Sequence, residues 1–148
     1  MTRNFVICLA ALLTTTAAQS QVNPANLKWG PAPPGLPAGA RLAVLSGNPE
    51  KAGLFTIRLR FSKGYRVAPH HHPSDELVTV ISGQLALGMG SRFNRGMMKT
   101  LVQGGYAVAA KDMNHYVISP TGGIVQITSQ GPFQIIYVNP ADDPRKRK

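Results

Sequence analysis

Three of the chain's four histidines stand side by side at His70, His71 and His72, and the fourth, His115, stands alone downstream. Glu76 follows close behind the triplet. Imidazole nitrogens and a carboxylate oxygen are donors that suit a divalent transition metal. On a β-strand successive side chains point to opposite faces. His70 and His72 therefore share one face, and His71 takes the other. Pro73, Ser74 and Asp75 are turn formers. The run ELVTVIS that follows is rich in β-branched residues and reads as a strand. The pattern predicts a hairpin that brings Glu76 back beside His70 and His72. His115 opens the strand-like run HYVIS and can complete the set. Tyr116 and Ile118 are then expected to face away from His115, and Ser119 to share its side. The bland alternative is a polar cluster in a surface loop. Against it, a glutamate leading so apolar a run is costly to bury without a partner.

The order Gly64, five residues, His70, one residue, His72, three residues, Glu76, six residues, Gly83 resembles the first motif of the cupin superfamily in full. A looser second motif is matched by Gly104 and His115, with the usual proline replaced by Ala110, the usual glycine by Asp112 and the usual asparagine by Ser119. The resemblance spans roughly residues 41–140 and implies an all-β double-stranded β-helix, a jelly-roll barrel, around one metal. It implies His70, His72, Glu76 and His115 as the ligands. The C-terminal run GPFQIIYVNPADDPRK is similar to that of small exported bacterial cupins. Three neutral imidazoles and one carboxylate suit Mn, Fe, Ni, Cu or Zn as the divalent ion. A six-coordinate ion keeps positions open for a substrate, whereas a tetrahedral zinc is filled by the four side chains.

The elements that must position these residues are short strands. In GLFTIRLRF, Phe55, Ile57, Leu59 and Phe61 alternate with Thr56, Arg58 and Arg60, the mark of a half-buried strand. RLAVLSG, QLALGMG, MKTLVQ, YAVAA, GIVQITS and FQIIYV read the same way, with turn signals between them. SRFNRGM, 91–97, is expected to be a loop. Residues 21–40 are too rich in proline for a regular element and read as an extended arm, pinned to the barrel by Trp29. Residues 141–148, ending in a basic run from Arg145, are expected to be a solvated tail.

Residues 1–20 carry Arg3, an apolar run from Phe5 to Leu13 and small residues beyond, the pattern of a cleaved signal peptide. The apolar run is shorter than the roughly 20 residues that a membrane span needs. A periplasmic or secreted protein is therefore expected. The only cysteine, Cys8, lies in that leader, so the mature chain offers neither a disulfide nor a thiolate ligand. The net charge is +10. The cations are scattered, without the basic stripe of a nucleic-acid module, and favour a small anionic ligand as partner. Unpaired strand edges favour a homodimer.

These features leave two functions open. One is a metal-dependent oxidoreductase, dioxygenase-like, acting on a small oxygen-bearing or anionic molecule. The other is a non-catalytic cupin that captures a small ligand or metal. The scarcity of acidic residues, six in the chain, leaves few candidates for a carboxylate base besides Glu76 and argues against acid–base isomerase chemistry. A metal that merely staples the barrel is a third role.

Overall fold

The computed structural model describes residues 21–146; the expected leader and the last two residues lie outside the described residues. Eleven strands form among the described residues: β1 (Gly30–Pro31), β2 (Ala40–Ser46), β3 (Gly53–Phe61), β4 (Tyr65–His71), β5 (Glu76–Gly83), β6 (Leu85–Met89), β7 (Lys99–Leu101), β8 (Tyr106–Ala109), β9 (His115–Ser119), β10 (Gly123–Gly131) and β11 (Ile136–Tyr137). The only helical turns are four short 3-10 pieces among these residues, and none is long and apolar enough to cross a membrane. The strands build two antiparallel sheets, β1-β2-β3-β10-β5-β8 and β11-β4-β9-β6-β7. This is the all-β double-stranded β-helix anticipated above.

Alternation places the core. Phe55, Ile57, Leu59 and Phe61 are all buried on β3 and join Tyr65 and Val67 of β4, Val78 and Val80 of β5 and Val125 and Ile127 of β10 in one hydrophobic cluster. Apolar side chains from both sheets thus fill the space between them, which is the main favourable contribution to folding.

Two features depart from the strand reading. β4 and β5 do not form a hairpin: β4 pairs with β9 and β11, and β5 pairs with β10 and β8 in the other sheet. The turn at Pro73–Asp75 carries the chain across the barrel between sheets. The second departure lies inside β4. Val67 pairs with Val117 and His70 with His115, so three steps on β4 oppose two on β9. This β-bulge at Ala68-Pro69 reverses the phase of the strand. Upstream, Tyr65 and Val67 are buried; downstream, His70 is buried while His71 is half-buried.

The arm closes one end of the barrel. Gly30 and Pro31 pair with Leu42 and Arg41 of β2. Arg60 stacks over the Trp29 ring at 4.2 Å, and Arg41 donates to the Trp29 carbonyl at 2.7 Å. Leu36 goes deeper and joins the core, while Tyr65 and Tyr137 donate their hydroxyls to the carbonyls of Pro37 and Gly35. The loop at 91–97 covers the outer face of the smaller sheet. Tyr116 faces away from His115 as expected, yet it is buried there against Phe93 and donates to the Asn94 carbonyl. Gly88 makes room for it, because a Cβ at that position would run into the Tyr116 ring. Arg145, expected in a solvated tail, instead folds back. It binds Asp143 at 2.8 and 2.9 Å and the Ile135 carbonyl at 2.9 Å.

Candidate metal centre

His70 comes from the end of β4, His72 from the chain just past it, His115 from the start of β9 and Glu76 from the start of β5. All four are buried. One ring nitrogen from each of His70, His72 and His115 lies within 4.8 Å of the others. The Glu76 carboxylate stands 3.6 Å from Nε2 of both His72 and His115. Glu76 falls outside the mutually close set of three and sits on the His72 and His115 side. The site therefore draws on both sheets, three histidines from the smaller and one glutamate from the larger.

Backbone carbonyls orient the rings. Nδ1 of His70 donates to Ala68 O at 2.7 Å, Nδ1 of His72 to Gln134 O at 2.6 Å and Nδ1 of His115 to Met113 O at 3.0 Å. A carbonyl can only accept, so each Nδ1 carries the hydrogen and each Nε2 keeps its lone pair. The bulge thus does two things. It turns His70 and His72 inward, and it frees the Ala68 carbonyl to hold His70.

Burial holds the donors in their neutral form. It pushes the His70 imidazole well below its ordinary range, with His115 and His72 adding to the shift. His72 is lowered by burial to about 4, and His115 is lowered by burial against an opposing pull from Glu76. Burial raises Glu76, and His115 opposes that shift.

The donors fit a metal ion. His72 Nε2 is fully buried and has no hydrogen-bond partner, a costly state for a polar atom. The two 3.6 Å separations are too long for a hydrogen bond. They match two donors that each stand about 2.0–2.2 Å from one ion between them.

A cavity of about 40 Å³ adjoins the four side chains. Apart from His70, His72, Glu76 and His115, every residue lining it is apolar. His71 points elsewhere and bonds to Asn114 through Nδ1 at 3.1 Å. Asp75 serves the turn: its carboxylate accepts from Lys111 N and its carbonyl from the Ser129 hydroxyl. Ser119 is buried and donates to the Gln84 carbonyl.

The turn before His115 keeps its shape without the usual glycine. Asp112 adopts φ 59°, the left-handed region that aspartate tolerates better than most residues. Its N–H bonds to the His72 carbonyl, and Met113 N bonds to Ala110 O. Asp112 thereby sets the Met113 carbonyl that orients His115. Two contributors were not read from the sequence. Gln134 acts through its backbone carbonyl, which leaves no side-chain signal. Phe133 stacks on His72 with ring centroids 5.2 Å apart. In the run FQIIYV apolar residues stand at both parities, so no alternation singled it out.

Comparison with known proteins agrees with this architecture. A family model described as the ChrR cupin-like domain matches residues 17–134. No match was found among curated protein sequences. Among solved structures, the polyketide cyclase RemF from Streptomyces resistomycificus is similar at a TM-score of 0.70 and 15% identity, over 86% of this chain and 91% of that one. An RmlC-like cupin from Shewanella frigidimarina is similar at 0.59 and 20% identity, over 76% and 91%. KdgF from a Halomonas species is similar at 0.53 and 20% identity, over 70% and 86%. At these identities the likeness is one of fold. Two sheets, the motif spacing and a family match over most of the length lead to one conclusion: the chain belongs to the ChrR cupin-like domain family of the cupins.

Proposed function

We propose that this protein is an exported metallocupin that holds one divalent transition ion through His70, His72, His115 and Glu76 and acts on a small oxygen-bearing molecule beside it. The observation that carries the reading is the convergence of three buried imidazoles, each with Nδ1–H tied to a carbonyl and Nε2 left as a donor. A bound ion supplies Lewis-acid or electron-transfer chemistry in such a site. The chain's own part is to fix the donors, balance the charge and exclude water. Among the described residues Glu76 is the only acidic group lining the cavity, and it would offset one of the ion's two positive charges. The apolar walls strengthen every electrostatic interaction inside.

Besides Glu76 and the three histidines, no titratable group among the described residues lines the cavity, so proton transfer within it falls to these four. That scarcity favours metal-centred oxidoreductase chemistry over acid–base isomerisation. It equally favours the second reading, capture of a small ligand or metal without turnover. Export rests on the composition of the first twenty residues, and N-terminal sequencing of protein from its native host tests it; the expected start lies near Gln21. Dioxygen uptake by the metal-loaded protein, measured across candidate substrates, separates the two readings. Uptake abolished by His72→Ala supports the oxidoreductase. Metal binding without uptake supports the capture protein.

A further inference from the structure

Phe133 separates two spaces. On one side lies the 40 Å³ cavity beside the four polar side chains, and on the other a surface groove of about 540 Å³ bordered by Pro31, Pro33, Pro34, Asn48 and Pro49. Phe133 lines both. Its ring stacks on His72 at an interplanar angle of 15° and meets Phe55 edge-on at 5.7 Å. The side chain is half-buried, and residues 132–135 belong to no strand. No sheet ladder therefore restrains the segment, which is tied instead by Phe133 N to Pro49 O and by the Gln134 and Ile135 carbonyls to His72 and Arg145. Leu87 and Ile135 also line the cavity and an outer groove. Leu87, however, sits within β6, which is paired on both sides by β9 and β7, and Ile135 is only 4% exposed.

The size of the inner cavity limits what it can take. One water needs roughly 10–15 Å³ of space measured this way, so 40 Å³ accommodates a few light atoms and no ring. The groove adds a charge preference. Its one charged lining residue is Glu50, which disfavours an approaching anion. Resting on the metal-centre reading above, we propose that Phe133 is the gate to the centre and that it selects small uncharged molecules of two or three heavy atoms, dioxygen or hydrogen peroxide in class. An anionic ligand drawn by the chain's basic surface is not what this entrance favours.

The test uses protein loaded anaerobically with iron(II), with loading measured first. Nitric oxide is the small probe, followed by the absorption and paramagnetic resonance of its iron adduct; pyrazole, a neutral five-atom ring, is the large one, followed by its competition with nitric oxide for that signal. The wild type is expected to admit nitric oxide and exclude pyrazole. Phe133→Ala is expected to raise pyrazole affinity by at least about tenfold, and Phe133→Tyr, which keeps the ring, to leave it unchanged. Val80→Ala controls for a loosened core, since Val80 is buried and does not line the cavity. Leu87→Ala tests the rival groove. Both controls are expected to behave as wild type. Equal pyrazole binding in wild type and Phe133→Ala overturns the gate, as does a gain in Val80→Ala or Leu87→Ala equal to that in Phe133→Ala. A protein that takes up no metal overturns the metal-centre reading and this proposal with it, so the two failures are distinct.

Discussion

Four side chains carry the proposed chemistry, and each has a separable consequence. His70→Ala, His72→Ala and His115→Ala each remove one Nε2 donor from the set that lies within 4.8 Å. Loss of a supporting group behind a ligand costs about 10–100-fold in metal affinity, so loss of the ligand itself is expected to cost at least about 100-fold, read by competition with a chromophoric chelator. Glu76→Gln acts differently. Burial raises the Glu76 carboxyl, which means that the metal-free fold bears a cost for its charge. The variant's stripped form is expected to melt higher than stripped wild type, while its gain on metal addition shrinks. An unchanged melting point for both forms would separate Glu76 from the site. The histidines set a pH dependence. Their folded pKa values lie below the ordinary 6.5, His72 at about 4. The unfolded chain therefore takes up protons first as pH falls, and stability present above pH 6.5 is lost on the way down to about pH 4. Glu76, raised from 4.5, works in the opposite sense at the acid end, one group against three. Thermal melts of chelator-stripped protein at about pH 7.5 and about pH 5 are expected to show the lower value at the acid condition.

At the scale of the element, a bulge and a turn decide where these side chains point. The bulge at Ala68-Pro69 reverses the phase of β4. Pro69→Val, which returns an N–H to the strand, is expected to favour regular pairing, and three regular steps from Val67 would turn His70 outward. Metal binding should then be lost while circular dichroism still reports a β-fold; retained metal binding would remove the bulge from the account. At Asp112, φ 59° makes substitution selective. Asp112→Gly is expected to be neutral or mildly stabilising. Asp112→Val is expected to cost about 1–2 kcal/mol, the penalty of left-handed backbone for a residue with a bulky Cβ, and to weaken metal binding through Met113 O. Denaturant titration measures both. These two places also show what the sequence could convey. A period of two told which residues share a face, so His70 and His72 were grouped correctly against His71, and the alternation of β3 gave its buried row. The period does not tell which sheet a strand joins. β4 and β5 therefore read as a hairpin although they lie in opposite sheets. Nor does it reveal a phase reversal, for which Pro69, without an N–H to give to the ladder, was the only local sign. The burial of Tyr116 escaped notice because the loop that covers it reads as polar.

Over the whole molecule, the barrel brings together donors that lie far apart in sequence and surrounds them with apolar walls. None of the lysines and arginines among the described residues lines the cavity. A metal bound by the folded state alone would be a stabiliser. At a free concentration about 100 times its dissociation constant it contributes about 2.7 kcal/mol. A chelator is expected to lower the melting temperature accordingly, and the triple variant His70→Ala, His72→Ala, His115→Ala to be insensitive to it. Whether these residues form one metal site is read by equilibrium titration of divalent transition ions into stripped protein. A single ion per chain is expected, bound by the wild type and not by the triple histidine variant. Uptake that is absent in the wild type, or equal in the two proteins, would contradict it.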